Sequence, residues 1–375
     1  MLRDRLRAWA FPFWIWLGSR IALAGASSIG LRIHPHLETP FRPRPLYEGV
    51  SALDGWCRWD CEHFLGVAVE GYVNGGQTNF FPLLPSLTHG LYLVTRIPHH
   101  WGILIVANVA ALLSFIVLYR MFHRLSGDEQ VARCGVALFA AYPFAFFQAG
   151  GYPESLMILT TALAIDFATR GHHLRAGAVL AYGAFSRHLA LLAGFGLFVA
   201  QLQQRPSVRK FLLSPALLGL ALPPLAFAGY LLYQKLQWGS FLAFYEARAN
   251  WGFLATWGLV QHLGVLTRKE PPLEYNFLII TSFLPFALIT AGGLAAILRR
   301  KEARALAAFG VVLMGLSFAI GLWGVGRYSA SCWPAFYGLG LIAAKRPTLF
   351  AVLLAGFALF QGLFFYMFSH AEGIL

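Results

Sequence analysis

Long apolar runs with almost no charge recur along this chain and limit the folds that it can adopt. The first extends over residues 9–30 and follows a short segment that carries Arg3, Arg5 and Arg7. An α-helix needs about 20 mostly apolar residues to cross the hydrocarbon core of a bilayer. These runs therefore predict a chain that crosses a membrane many times. The further apolar runs are 81–97, 101–119, 134–149, 154–169, 177–200, 211–233, 276–298, 305–322, 332–344 and 348–367.

The composition points to the same class. Hydrophobic residues make up 58% of the 375 residues, charged residues make up 12%, and the mean hydropathy is +0.61. Soluble domains are about 45–50% apolar and about 25% charged. The sequence predicts an all-α, multispan membrane bundle that forms a single polytopic transmembrane domain over residues 1–375, with about 9–11 membrane segments.

The basic residues predict the topology. The 29 Lys and Arg residues outnumber the 16 Asp and Glu residues and give a formal net charge of +13. In a soluble protein this charge would suggest nucleic acid, but here it lies between apolar runs, as cytoplasmic loop charge does, and we expect no nucleic-acid partner. The basic connectors expected on the cytoplasmic side are 1–8, 120–133, 170–175, 203–210, 299–304 and 345–346.

Two apolar runs must be irregular if all these connectors lie on one side. Run 81–97 is then re-entrant or interfacial, and run 177–200 breaks into two short helices at residues 186–188. A break around Arg187 is physically reasonable, because a charged residue at membrane depth is tolerated where it faces a wet cavity.

Two long polar intervals then lie on the extracytoplasmic face. The first loop is 31–80, with amphipathic interfacial helices, and the second is 234–275. The short connectors 148–153, 186–188 and 323–331 fall on the same face. A membrane protein that gathers acids, histidines and arginines at one face is expected to have a site there.

The first candidate group lies within residues 58–85. Apolar residues at helical spacing predict an amphipathic helix over 61–72, with Asp60 and His63 on its other side. Asp60, next to Trp59, is suited to act as a general base on an acceptor hydroxyl. The alternative is that Asp60 serves only as the N-cap of the helix.

A second candidate group is the sequence QAGGYPES at 148–155. Pro153 and Glu154 fit the first turn of a helix, where acids are favoured by the helix dipole, so a well-capped span is one interpretation. The functional interpretation places Tyr152 and Glu154 at the mouth of a cavity, where they bind sugar hydroxyls.

Two arginines are candidate anion binders. Arg187 and Arg327 each lie at the outer end of an apolar run, and arginine binds phosphate with a bidentate fork. The alternative for both is snorkelling to the interface. His188 is a candidate assistant, although a lone histidine is more often structural.

Other motifs suggest little further chemistry. The aromatic segment 237–251 is either an interfacial helix or a wall for a lipid carrier. No Walker, GxGxxG or metal-ligand spacing occurs, so neither a nucleotide site nor a metal requirement is expected. The cysteines show no disulfide framework, and although Cys57 and Cys61 are close enough to meet on a helix, we expect no functional pair.

Five blocks, in order over roughly residues 56–345, resemble PIG-V-type mannosyltransferases, the GPI mannosyltransferase II family. They are RWDCEHFLGVAVEGY with NFFPLLP, YPFAFFQAGGYPESL, RAGAVLAYGAFSRHLALL, QWGSFLAFYEARANWG and GRYSASCWPAFYGLGL. Three positions depart from the family pattern. Tyr142 replaces an asparagine, His188-Leu189 replaces Asn-Gly, and Arg248 replaces a glutamine.

The resemblance implies a GT-C glycosyltransferase that inverts the anomeric configuration of the sugar it transfers. The implied sugar is mannose, and the implied donor is a polyprenyl- or dolichyl-phosphate carrier. The implied acceptor is a hydroxyl of a glycan or glycolipid on the outer face. It implies that Asp60 is the catalytic base and that Arg187 and Arg327 bind the donor phosphate. No metal is required, since phosphate is a good leaving group. The residues expected to bind sugar or acceptor are Arg58, His63, Tyr152, Glu154 and His188.

The expected location is a prokaryotic plasma membrane with the site outside, or alternatively the endoplasmic reticulum with a lumenal site. Two other functions stay open. A transporter or flippase of a lipid-linked sugar would place polar groups near the midplane on broken helices, often within repeats. A non-catalytic scaffold subunit would use the same polar residues only for assembly.

Overall fold

The computed structural model describes residues 2–33, 46–47, 51–204, 214–247, 283–320 and 324–370. Within these ranges the chain is all-α and contains no β-strand, which confirms the predicted fold class. The helices up to residue 204 are α1 (Leu2–Ile33), α2 (Asp60–Glu70), α3 (Leu83–Thr95), α4 (His99–Ser126), α5 (Glu129–Ala141), α6 (Glu154–Thr169), α7 (His173–Gly183) and α8 (Ala193–Gln204).

The rest of the described chain continues the bundle. Its helices are α9 (Pro215–Trp238), α10 (Ala243–Glu246), α11 (Leu284–Ile297), α12 (Arg304–Ile320), α13 (Val325–Ser331), α14 (Trp333–Ala343) and α15 (Pro347–Ser369). Helix α9 extends past the predicted start of the second loop at 234 and ends where Gly239 takes a positive φ of 78°. Most of that loop lies outside the described residues.

Four helices in the described part of the chain have the length and the apolar composition of a membrane span. They cover His99–Ser126, Ala216–Trp238, Lys301–Ala319 and Pro347–Ser369. The apolar helices α11 and α14 are shorter. These helices support the prediction of a membrane protein.

One end of the bundle gathers basic connectors, and we call it the basic end. Arg124, at the end of α4, pairs with Asp166 in the last turn of α6 at 2.8 Å, and Arg170 pairs with the same carboxylate at 3.0 Å. Gln203, at the end of α8, donates to the carbonyl of Lys301 at 2.8 Å. Segments from four of the predicted cytoplasmic connectors therefore lie at one end, as their charge predicted.

The opposite end begins at Glu154, the first residue of α6, and we call it the cleft end. Helix α6 has 16 residues, so at about 1.5 Å per residue it separates the two ends by about 24 Å. The side chains of Arg187 and Arg327 meet Glu154 at this end. Residues of the predicted connectors 186–188 and 323–331 thus meet at the start of the helix that follows connector 148–153.

Both runs that were predicted to be irregular form short helices. Helix α3 has 13 residues, or about 20 Å, and ends where Arg96 takes a positive φ of 61°. Helix α7 ends at Gly183, and a 3₁₀ turn over His188–Leu192 precedes α8. The predicted break at 186–188 is confirmed, and it places Arg187 in extended backbone between two helical segments.

Candidate active site

Arg327 is the centre of an ion network that joins four distant parts of the chain. Its Nη1 donates to Oδ2 of Asp60 at 2.7 Å, and its Nε donates to Oε1 of Glu154 at 2.5 Å. Arg187 donates through Nη1 to the same Oε1 of Glu154. Two carboxylates and two guanidinium groups therefore form one continuous cluster with balanced charge.

Backbone position explains how each group reaches the cluster. Asp60 and Glu154 are the first residues of α2 and α6, where a carboxylate is favoured by the helix dipole. Arg187 lies in the break between α7 and α8, and Arg327 lies in the short helix α13. The site is thus built from helix starts and from a helix interruption, which are positions that can direct a side chain into a shared space.

Aromatic rings hold the two guanidinium groups from the protein side. The Cζ of Arg327 lies 4.8 Å from the ring centre of Tyr152 and 4.9 Å from that of Phe147. The Cζ of Arg187 lies 5.7 Å from the ring centre of Tyr328. Cation–π contacts of this kind are worth about 2 kcal/mol or more when desolvated. Both arginines are therefore fixed by interactions that do not use all their hydrogen-bond donors.

Burial varies across the network. The side chain of Glu154 is 1% exposed and that of Arg327 is 8% exposed. The side chains of Arg187 and Asp60 are 15% and 31% exposed. Asp60 and Arg187 are therefore the members most accessible to a ligand, while Glu154 and Arg327 connect them from below.

An open cleft lies above this network. Its volume is about 350 Å³, including open solvent at the mouth. It joins the ion network to polar and aromatic groups of the first loop and of the break before α8. Its lining residues are Asp60, Phe64, Asn79, Phe80, Phe81, Ser186, Arg187, His188 and Arg327.

One wall of the cleft is aromatic. The ring of His188 lies 5.7 Å from that of Phe81 and 5.9 Å from that of Phe244. Phe244 belongs to α10, within the segment 237–251, for which an interfacial helix and a wall for a lipid carrier were the two interpretations. The described part of that segment does contact a cleft residue. We call His188, Phe81, Tyr230 and Phe244 the aromatic wall, since Tyr230 packs on Phe81 at 5.1 Å.

The predicted placement of Tyr152 and Glu154 at the mouth of a cavity is wrong. Tyr152 is fully buried, and its hydroxyl donates to the backbone carbonyl of Arg58 at 2.7 Å. Glu154 lies at the base of the cleft and is occupied by both arginines. An acid between two guanidinium groups is more stable in their ion pairs than directed at neutral hydroxyls, so both residues support the site from beneath.

Arg58 and His63 do not line the cleft. Arg58 is buried. His63 is half-buried in α2 and stacks on Phe80 at 4.7 Å with an interplanar angle of 19°. Burial lowers the pKa of His63, and the nearby Asp60 and Glu62 only partly oppose that shift. His63 therefore supports Phe80, which itself faces the cleft.

Asp60 is not an N-cap. Helix α2 begins at Asp60 itself, the capping position is Trp59, and no side chain caps the helix. The carboxylate instead accepts from Arg327. The helix ends at Glu70, slightly before the predicted 61–72, because Gly71 takes a positive φ of 75°.

The expectation that Cys57 and Cys61 form no pair is wrong. The structure joins them in a disulfide, with 5.1 Å between their Cα atoms. Both residues are completely buried directly beside Asp60. The signal in the sequence was the spacing of four within a predicted extracytoplasmic loop, where disulfides persist.

Sequence analysis also missed two polar residues that line the cleft, Asn79 and Ser186. Both lie inside the motifs quoted above, Asn79 at the start of NFFPLLP and Ser186 directly before Arg187, and that position was the available signal. Within the described ranges, no three His, Cys, Asp or Glu residues come together as a candidate metal site. That no metal is needed stays a prediction.

The fold is similar to that of a solved archaeal membrane enzyme. A crystal structure of the Archaeoglobus fulgidus oligosaccharyltransferase, in complex with Zn and sulfate, matches with a TM-score of 0.50 over 94% of this chain and 53% of that chain. The sequences are 14% identical, so this match concerns the fold. The arrangement of helices is therefore one that a known oligosaccharyltransferase also adopts.

In sequence, the chain is similar to GPI alpha-1,6-mannosyltransferase 2. It is 31% identical to the Mus musculus protein over 160 residues, 40% of this chain, and 30% identical to the Rattus norvegicus protein over 155 residues, 38% of this chain. Each match covers 31% of the relative's length. No family model matches. The predicted resemblance to PIG-V-type mannosyltransferases is confirmed as a sequence similarity over about 40% of this chain.

Proposed function

We propose that this protein is an inverting glycosyltransferase that moves mannose from a polyprenyl- or dolichyl-phosphate carrier to an acceptor hydroxyl on the extracytoplasmic face. The observation that carries the proposal is the network of Asp60, Arg327, Glu154 and Arg187 at the base of an open cleft. It supplies a base and two phosphate-binding groups within one small space. The similarity to named mannosyltransferases supports the choice of sugar.

Asp60 is the base of this mechanism. Its Oδ2 accepts from Arg327, and within the described residues Oδ1 has no hydrogen-bond partner. Oδ1 takes the proton of the acceptor hydroxyl while the hydroxyl oxygen attacks the anomeric carbon. The bond from that carbon to the phosphate oxygen breaks on the opposite side, so the sugar is inverted. General bases of this kind contribute about 10²–10⁴-fold to rate.

Arg187 and Arg327 stabilise the departing phosphate. Negative charge grows on the phosphate oxygen as the bond to the sugar breaks, and fixed donors aimed at that charge lower the barrier. Arg187 is the more exposed of the two and makes the first contact with the phosphate. Arg327 links the phosphate to the base, because it also holds Asp60.

Glu154 is a positioning residue. One of its oxygens receives both arginines, so their guanidinium groups are held close despite their like charge. Without this carboxylate, the two cations would repel each other in a buried setting, and the phosphate site would open.

The location of the basic connectors supports an extracytoplasmic site. Arg124, Arg170 and Lys301 lie at the basic end, about 24 Å from the cleft by the length of α6. Loops rich in Lys and Arg stay in the cytoplasm. The cleft end then faces the outside or the lumen, where lipid-phosphate sugars act as donors.

The aromatic wall supports a path for the carrier. Phe81 stacks on Phe227 of α9 with an interplanar angle of 2°, and the hydroxyl of Tyr230 donates to the carbonyl of Thr78 at 3.0 Å. Helix α9 is an apolar helix of spanning length whose surface is mostly uncovered by protein. A prenyl chain can lie along α9 while its phosphate reaches the arginines past this wall.

The test uses purified protein in nanodiscs with polyprenyl-phosphate mannose as the donor and extracted cell-envelope glycolipids as acceptors. Mannosylated product is expected from the wild type, with the anomeric configuration opposite to that of the donor. Asp60→Asn keeps the shape of the side chain and removes the base, so transfer should fall at least about 100-fold. Glu70→Gln, an exposed acid at the other end of α2, is the matched control and should keep wild-type transfer.

Two outcomes would contradict the proposal. Wild-type turnover in the Asp60→Asn variant would show that Asp60 is not the general base. Counterflow of labelled lipid-linked mannose across the bilayer with no product would instead identify a flippase.

A further inference from the structure

We propose that the Cys57–Cys61 disulfide is a positioning element of the cleft, which holds Asp60 and the loop before Glu154 in register. The bond encloses Arg58, Trp59 and Asp60 in a short loop. Both cysteines are completely buried. The inference rests on the proposed function only for its activity readout, since the linkage and its structural effect can be measured without turnover.

The loop inside the disulfide has an unusual backbone. Trp59 has a positive φ of 56°, in a region that is unfavourable for a bulky residue and that persists only when surrounding contacts enforce it. No side chain caps α2 at this point. The disulfide on one side, and the hydrogen bond from Tyr152 to the carbonyl of Arg58 on the other, enforce this conformation. Asp60 is the next residue, so its direction depends on both.

The disulfide also packs directly on the second loop of the site. A Cβ on Gly151 would lie 2.3 Å from the Sγ of Cys61, so only glycine fits there. The amide of Gly151 donates to the carbonyl of Trp56 at 3.0 Å. Gly151 stands three residues before Glu154. The two carboxylates that bind Arg327 therefore begin helices whose preceding segments meet at this sulfur–sulfur bond.

The Cys57–Cys61 disulfide also bears on which side of the membrane the cleft end faces. Disulfides persist in oxidising compartments and are reduced in the cytosol. A disulfide beside Asp60 thus requires the cleft end to face outside the cytosol, independently of the charge argument. Reduction by a dithiol would break the S–S bond and form two thiols, while the reductant becomes a disulfide.

The first test is peptide mapping of the wild-type protein under non-reducing conditions after alkylation of free thiols. Cys57 and Cys61 should appear as one linked peptide, whereas Cys134 and Cys332, which are free and buried, should be alkylated after unfolding. Recovery of Cys57 and Cys61 as free thiols from native membranes would overturn the proposal.

The second test measures what the bond does. Hydrogen exchange on the Cys57→Ser/Cys61→Ser double variant should show lost protection in both the 57–72 and the 148–156 segments. The donor KM should change little, while kcat falls about 10–100-fold, because misplacement of a catalytic group by about 1 Å can cost 100-fold. When the wild type is unfolded, reduced with dithiothreitol and refolded, its kcat should fall by a similar factor. The same treatment should leave the kcat of the double variant unchanged.

Gly151→Ala offers a second variant that keeps both cysteines but displaces Cys61. It should lower kcat in the same way, whereas Gly66→Ala in α2, where a Cβ meets nothing within 4 Å, should not. Exchange changes confined to 57–61, or wild-type kcat in the double variant, would overturn the positioning role. If the wild type shows no transfer, but the cysteines are found linked and the double variant loses protection in both segments, only the proposed function is refuted.

Discussion

Arg327 holds Asp60 by a hydrogen bond of 2.7 Å between residues that are 267 positions apart in the chain. The contact joins the first loop to the short helix α13, which are the two parts of the proposed site that sequence proximity cannot connect. Through Glu154, the same arginine reaches Arg187. The proposed base and the proposed phosphate-binding groups are therefore linked through one chain of ion pairs.

The two arginines should differ in their effects. Lysine keeps the charge but loses the planar fork. Arg187→Lys, at the accessible end of the network, should raise the donor KM about 10-fold with a smaller change in kcat. Arg327→Lys loses contacts to both carboxylates and should lower kcat about 100-fold or more, as removal of a transition-state donor does. Steady-state kinetics with polyprenyl-phosphate mannose measures both effects.

Arg175→Lys, on the exposed surface near the basic end, is the control for these arginine variants and should behave as wild type. Equal kinetics for Arg187→Lys and wild type would show that Arg187 does not touch the donor.

Glu154→Gln should destabilise the protein even without substrate. The change leaves two neighbouring guanidinium groups with less compensation in a buried setting, and the loss of one partner from a buried ion pair costs about 3–5 kcal/mol. Thermal unfolding in detergent should show a lower Tm. Adding Arg187→Gln to this variant removes one uncompensated cation, so the double variant should lose less stability than the sum of the two single changes. Strict additivity would contradict a shared carboxylate.

His63 should make stability fall at acidic pH. Burial lowers its pKa below the ordinary value of about 6.5 in the unfolded chain, so the unfolded state binds the proton first as pH falls. The contribution of neutral His63 to the free energy of unfolding is complete above about pH 6.5 and is lost as the pH falls below that value. His63→Gln should reduce the difference between the Tm at pH 7.5 and at pH 5.5.

The exposed His123, at the basic end, provides the control for this pH effect. His123→Gln should keep the wild-type pH dependence, and an unchanged dependence in His63→Gln would refute the assignment to His63.

Close helix packing should make Gly293 intolerant of alanine. A Cβ at Gly293 in α11 would lie 2.4 Å from the carbonyl oxygen of Ala335 in α14, whereas a Cβ at its neighbour Gly292 meets nothing within 4 Å. Gly293→Ala should therefore lower stability by about 1–3 kcal/mol, the usual effect of overpacking. Gly292→Ala should leave the Tm unchanged or slightly higher. A loss of stability in both variants would show that helix geometry, and not this contact, is the cause.

Sequence reasoning succeeded where a property is local. The break at 186–188 followed from charge in an apolar run, and Asp60, Arg187, His188 and Arg327 were selected because polar groups are rare and costly in such surroundings. It failed where a side chain had a choice of partners. Tyr152 and Glu154 are turned inward by Arg58 and the arginines, and nothing in their own segment distinguishes that from a position at the mouth.

Apolar run length and the distribution of Lys and Arg were sufficient to establish a helical membrane bundle with its polar groups gathered at one end, because spanning a bilayer imposes those patterns residue by residue. The pairing of Arg327 with Asp60 and Glu154 emerged only from the packed chain. Such contacts depend on how separate helices approach and on which buried charge finds an opposite charge, and neither is encoded in any one segment.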